Sequence, residues 1–186
     1  MIHKIFIVAA ARPNFIKIAP FFKNIKKFPN LKPFLIHTGQ HYDKNMSDTF
    51  FKTFEIPIPD VHLNIGSGSH AEQTGKTMIE FEKLCIEHKP SLVLVFGDVN
   101  ATAACTITAK KCLIPVAHVE AGLRSFDREM PEEINRILTD SISDILYTTA
   151  EDANTQLIKE GIPEDNILFV GNVMIDILFN NLSKSN

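Results

Sequence analysis

A cationic excess, metal-binding cysteine spacing and long apolar runs are all missing from this 186-residue chain. Each absence excludes a class of function. The 19 Lys and Arg are outnumbered by 22 Asp and Glu, for a formal net charge of −3. No broad positive field exists to hold a polyanion, so nucleic acid is not expected as the main partner. A small anionic ligand needs only a local group of donors and stays open. Cys85, Cys105 and Cys112 are odd in number and lack zinc spacing, which argues against a disulfide framework or a structural metal. They read as buried thiols of a reducing cytoplasm. No apolar run approaches the roughly 20 residues needed to cross a bilayer, so no membrane partner is expected. Lys4, the run Ile5–Val8 and three alanines faintly imitate a secretory leader, but the charge and length fall short and the segment reads as a first strand. The seven histidines form no His-Glu-x-x-His pair. His37 and His41 flank a glycine turn and His118 lies inside a strand, so all three read as structural rather than metal ligands. The first strand-to-helix turn lacks the spaced glycines of a dinucleotide fingerprint, so no redox cofactor is indicated.

What is present suits one sizeable core: 45% of residues are hydrophobic and 22% charged. Short apolar runs recur at Lys4–Val8, Phe34–His37, Leu92–Phe96, Pro115–Val119, Ile145–Tyr147 and Ile167–Val170, with a weaker one at Val61–Leu63. Most do not alternate with polar residues, as strands covered on both faces should not. Between them lie helical spacings: Phe15, Ile18, Phe22 and Ile25, then Met78, Phe81 and Cys85. Further helices fit Ala101–Cys112, Pro131–Ser143 and Glu151–Glu160, the last stopped by Gly161. Strand and helix thus alternate, which predicts a doubly wound, Rossmann-like α/β domain with a parallel sheet. After Gly171 a fresh apolar helical stretch begins and ends within a few residues. It reads equally as a terminal helix or as a hinge helix.

In open α/β sheets, ligands bind beyond the carboxyl ends of the strands. Asp98 and Glu120 each follow a buried run there. Asp98 could simply cap the next helix, and Glu120 could pair with Arg124 within its loop. Pro131-Glu132-Glu133 opens a helix, where glutamates also favour the helix dipole. Arg12, at the first strand-to-helix turn, could bind phosphate or pair at the surface. Two carboxylates on one edge beside an arginine favour catalysis over these separate explanations.

Several segments together resemble one family. They are Ala11-Arg12-Pro13-Asn14-Phe15-Ile16-Lys17, Thr38-Gly39-Gln40-His41-Tyr42-Asp43, Gly68-Ser69-His70-Ala71-Glu72-Gln73-Thr74 and Gly97-Asp98-Val99-Asn100. His118-Val119-Glu120-Ala121-Gly122-Leu123-Arg124, Pro131-Glu132-Glu133-Ile134-Asn135-Arg136 and Gly171-Asn172-Val173-Met174-Ile175-Asp176 continue the pattern. In order and spacing they resemble the non-hydrolysing UDP-N-acetylglucosamine 2-epimerases. The run Ser125-Phe126-Asp127-Arg128 before Pro131 also resembles a branch that includes epimerases acting on other UDP-2-acetamido sugars.

The resemblance implies a two-domain GT-B architecture, with a Rossmann-like domain over 1–171, the start of a hinge helix over 172–186 and the second domain outside this sequence. It implies Asp98, Glu120 and Glu132 as catalytic carboxylates. Arg12, Lys17, Gln40, His41 and Arg124 would bind substrate. Family members bind most of the uridine diphosphate, and carry a catalytic histidine, in the second domain. The implied partners are a UDP-sugar, a second copy through this domain and a C-terminal half; no cofactor is implied. The C2 proton of the sugar is not next to a carbonyl, so the reaction expels UDP and adds it back, which calls for carboxylates near C2 and cations near the diphosphate. Ala10 and Ala101 depart from the family's usual Gly and Ser or Thr. Half a cleft predicts weak or absent turnover alone. The alternatives are a non-catalytic assembly fragment, half of a split enzyme, and, ranked low, a GT-B glycosyltransferase.

Overall fold

The computed structural model describes residues 2–10, 12–39 and 54–182; the side chains of 12–13 and 180–182 lie outside that description. Seven strands form one sheet: β1 (His3–Ala9), β2 (Leu31–His37), β3 (Val61–His62), β4 (Leu92–Phe96), β5 (Val116–Ala121), β6 (Ile145–Thr148) and β7 (Ile167–Phe169). All pairings are parallel, in the order β3-β2-β1-β4-β5-β6-β7. The helices are α1 (Arg12–Ile25), α2 (His70–His88), α3 (Asn100–Lys111), α4 (Pro131–Ile142), α5 (Glu151–Lys159) and α6 (Val173–Leu182). Strand and helix alternate as expected along β1-α1-β2 and from β3 to α6; between β2 and β3 lie residues 40–53, which are outside the described ones.

The apolar runs lack alternation because both sheet faces are covered. Along β1, Ile5, Ile7 and Ala9 pack with Phe15, Ile18 and Phe22 of α1. Phe6 and Val8 point the other way, into a cluster with Phe81 and Cys85 of α2 and Cys105 and Ala109 of α3. Burying each large side chain of this kind contributes about 1.5–3 kcal/mol. Ser69 begins α2 with a reciprocal cap, accepting from the Glu72 amide while Glu72 accepts from the Ser69 amide. The cysteines are free thiols. Burial pushes the Cys85 thiol up to about 12, which makes it inert.

Two sequence expectations shift. Asp98 does not cap α3: the cap position is Val99, and no side chain bonds there. Glu120 does not follow β5 but lies within it. Strand pairing to β6 slips between Val119 and Ala121, and Glu120 takes a left-handed φ of 77°. That bulge is set by pairing with a neighbouring strand, which local periodicity does not carry.

Candidate active site

The chain leaves β1 for α1 on one face and leaves β4 for α3 on the other, so a crevice opens at the carboxyl ends of these adjacent strands. Gly97 is its floor. Its φ is +66°, and a Cβ there would stand 3.4 Å from Lys17 Nζ and 3.5 Å from both Asn14 Nδ2 and Glu120 Oε2. Asn14 ties the start of α1 to β4 by donating to the Phe96 carbonyl at 2.9 Å. Lys17, one turn further on, donates to Glu120 Oε2. This pair is only partly screened, with side chains 14% and 22% exposed. The left-handed backbone at Glu120 costs on the order of 1–3 kcal/mol, and the bulge turns its carboxylate toward Lys17 rather than along the strand.

Asp98 is anchored from the other side. Its Oδ2 accepts from Arg136 Nε at 2.9 Å and from Nη2 at 2.6 Å. Its backbone carbonyl accepts from Asn135 at 2.9 Å. Arg136 Nη1 also donates to Glu133 Oε2 at 2.9 Å. Glu133 is 1% exposed, and its carboxylate accepts the Ser125 and Phe126 amides, each at 3.0 Å. Burial alone would raise the Glu133 pKa; the Ser125 amide, Arg136 and the Phe126 amide outweigh it and hold the carboxyl below its ordinary value. Glu132, the preceding residue, is half-buried and meets no hydrogen-bond or ion-pair partner among the described residues.

Behind this edge runs a buried ionic chain. His118 Nδ1 donates to Asp140 Oδ1 at 2.6 Å, and Nε2 donates to the Gly97 carbonyl at 2.8 Å. Asp140 Oδ2 accepts the Gly122 amide at 3.0 Å and Arg124 Nη1 at 2.7 Å. Arg124 also grips Glu160 through Nε at 2.9 Å and Nη2 at 2.6 Å. Burial would raise the Asp140 pKa; the His118 bond and charge, then Arg124, outweigh it and hold it below the ordinary value. Gly122 must be glycine: its φ is +81°, and a Cβ would meet the Ala153 carbonyl oxygen at 2.7 Å. Gly122→Ala should therefore destabilise the domain by about 2 kcal/mol or more, read as a lower urea midpoint.

The sequence-derived residues fare differently. Lys17 and Glu120 meet directly, and Asp98 follows Gly97, which both of them approach. Glu132 stands one helical turn before Arg136, the partner of Asp98. Arg124, expected to bind substrate, has a side chain 2% exposed and is committed to Asp140 and Glu160. Nor does it pair with Glu120, whose cation is Lys17. The Arg12 side chain, Gln40 and His41 lie outside the described residues.

Sequence reasoning missed Asn14, Glu133, Arg136 and Asp140. A signal existed for three of them. Glu133, Arg136 and Asp140 recur at i, i+3 and i+7 of one helix, the spacing of a core-facing stripe where apolar residues are expected. Charge at such positions marks a helix that buries a polar network.

A family model described as UDP-N-acetylglucosamine 2-epimerase matches residues 23–186. A UDP-N-acetylglucosamine 2-epimerase homolog of Methanococcus maripaludis is 52% identical over 179 residues, covering 96% of this chain and 49% of that protein. A UDP-2,3-diacetamido-2,3-dideoxy-D-glucuronate 2-epimerase of Pseudomonas aeruginosa is 46% identical over 175 residues, covering 93% of this chain and 49% of that protein. Among solved structures, the Methanocaldococcus jannaschii UDP-GlcNAc 2-epimerase in complex with UDP-GlcNAc and UDP superposes with a TM-score of 0.94 at 48% identity. That match covers 98% of this chain and 50% of the other. The chain thus spans about half the length of the curated relatives it matches.

Proposed function

The chain belongs to the UDP-N-acetylglucosamine 2-epimerase family, and from that premise we propose that it forms the N-terminal lobe of an enzyme inverting C2 of a UDP-2-acetamido sugar. One observation carries this reading. At the sheet's switch point, Asp98 and Glu120 each have one oxygen anchored on a cation, and the other oxygen accepts from no described residue. Such carboxylates are oriented yet available for proton transfer.

A carboxylate takes the C2 proton as the C1–O bond breaks and UDP departs with the electron pair. Proton return to the opposite face of C2 and re-addition of UDP at C1 complete the inversion, with no net redox change. Asp98, Glu120 and Glu132 are the carboxylates of this step. Lys17 and Arg12 are the cations that meet the leaving diphosphate, which carries the developing negative charge. Gln40 and His41 contribute to substrate binding. Arg124 acts by holding the β5 turn rather than by touching substrate.

The second lobe supplies the remaining half of the cleft. Leu168 and Phe169 on β7, Val170 just after it, and Ile175, Leu178 and Phe179 on α6 are exposed large apolar side chains and support this reading. We read 1–171 as the Rossmann-like lobe and the segment from 172 as the hinge that leads to its partner, whether on the same polypeptide or a separate one. Family resemblance further supports self-association through this domain, a cytoplasmic setting and use of the product in cell-envelope polysaccharide assembly.

The test is hydrogen exchange. The chain is incubated with UDP-GlcNAc in deuterated water, alone and with a complementing C-terminal half. Deuterium at C2, detected by NMR and rising sharply when the halves are combined, is the expected result. A parallel sample with UDP-2,3-diacetamido-2,3-dideoxyglucuronate decides the sugar, because a relative named for that substrate is 46% identical. No incorporation with either sugar in the combined sample refutes the enzyme reading and leaves a binding or assembly role.

A further inference from the structure

We infer that Arg136 is the positioning residue for Asp98, locking one carboxylate oxygen so that Oδ1 alone can exchange a proton with substrate. This rests on the reading of Asp98 as a catalytic carboxylate. The guanidinium directs both Nε and Nη2 at the same oxygen, Oδ2. An arginine only donates, so Oδ2 cannot carry a hydrogen toward it while these bonds stand. A proton held by Asp98 therefore sits on Oδ1, which accepts from no described residue on a side chain 30% exposed.

The lock is itself held. Arg136 Nη1 bonds Glu133, which is buried and fastened to two backbone amides. Glu133 and Arg136 lie one turn apart on α4, and Asn135 of the same helix holds the Asp98 carbonyl. Asp98 thus has its main chain and its carboxylate fixed by one rigid helix, which keeps a catalytic group in register better than a loop does. The same carboxylate of Glu133 pins Phe126, whose φ is 60°. The 125–126 turn and Asp98 are therefore tied through a single guanidinium. Lysine could replace the charge but not the fork: one ammonium on a flexible stem cannot direct two parallel donors at Asp98 and a third at Glu133.

Carboxyl-carbon NMR of the 13C-aspartate-labelled chain tests this without requiring turnover. The Asp98 Cγ signal is identified by its loss in Asp98→Asn. Arg136→Lys and Glu133→Gln should each move that signal beyond its linewidth while Asp60 and Asp144 stay in place. The Glu133→Gln effect is diagnostic, because the hydrogen bonds of the Glu133 side chain reach the Asp98 carboxylate only through Arg136. An unmoved Asp98 signal in both folded variants overturns the proposal. Should either variant fail to fold, the 15Nε signal of Arg136 in Asp98→Asn decides instead: it shifts if the lock exists and stays if it does not. In the deuterium-exchange assay of the combined halves, Arg136→Lys should lower kcat about 100-fold with little change in KM, as small misplacements of a reacting group do. A loss confined to KM would make Arg136 a substrate contact and overturn the positioning role. Absent wild-type exchange refutes the epimerase reading, while the NMR result still decides whether Arg136 locks Asp98.

Discussion

Asp98→Asn is expected to lower C2 deuterium incorporation by about 10²–10⁴-fold in the combined halves, with the domain still folded. Asparagine keeps the shape and one acceptor oxygen for Arg136. It loses the second oxygen, the one available to carry a proton. Folding should survive because the Asp98 side chain is 30% exposed and Arg136 keeps Glu133 as a buried counter-charge. Circular dichroism and the urea midpoint would check that. Exchange at the wild-type rate would remove Asp98 from the reaction and, with it, the catalytic sense of the Arg136 lock.

Asp140→Asn should produce the largest loss of stability, about 3–5 kcal/mol at pH 7, measured by urea denaturation. Asp140 is fully buried and receives His118, Arg124 and the Gly122 amide. Removing its charge leaves Arg124 with Glu160 as its remaining carboxylate, and the amide that replaces Asp140 cannot accept through both atoms, so one of the buried His118, Arg124 and Gly122 donors loses its acceptor. The pH dependence has a definite sign. The folded-state pKa of Asp140 lies below the ordinary 3.8, so its contribution is present above that value. It is lost as pH falls through the lower folded value. Glu133 and Glu160 are shifted in the same direction and add to the same acid limb. The stability gap between wild type and Asp140→Asn should therefore narrow below about pH 4. A gap that stays constant down to pH 2 would show that Asp140 contributes no proton-linked stability.

The two buried acids, Asp140 and Glu133, divide the labour at the carboxyl edge of the sheet. Asp140, through His118, holds the Gly97 carbonyl, and Gly97 forms the floor on which Lys17, Asn14 and Glu120 converge. Glu133, through Arg136, holds Asp98. A charged interior of this kind stabilises less than packed hydrocarbon would, but it fixes the orientation of Asp98 and of the Gly97 turn.

Much of this was legible in the amino-acid order. Lys17 was marked by resemblance near the diphosphate, and the structure brings it to Glu120. Arg124 lies in different surroundings. The family resemblance implied it as a substrate contact, yet its guanidinium is turned inward to Asp140. Nothing local separates an arginine that faces a cleft from one that faces a buried carboxylate. The charged stripe Glu133, Arg136 and Asp140 was readable in principle, because helical spacing puts the three on one face.

The order of residues by itself determined the strands, the helices and their doubly wound arrangement. Those follow from apolar spacing within a few residues, and a parallel sheet covered on both faces is what such spacing stabilises. Only the tertiary structure decided which cation meets which carboxylate. Lys17 and Glu120 are 103 positions apart, and Asp98 and Arg136 are 38. Pairings of that kind depend on where the sheet places the ends of separate strands and on one bulge at Glu120, and neither is written in any short stretch of chain.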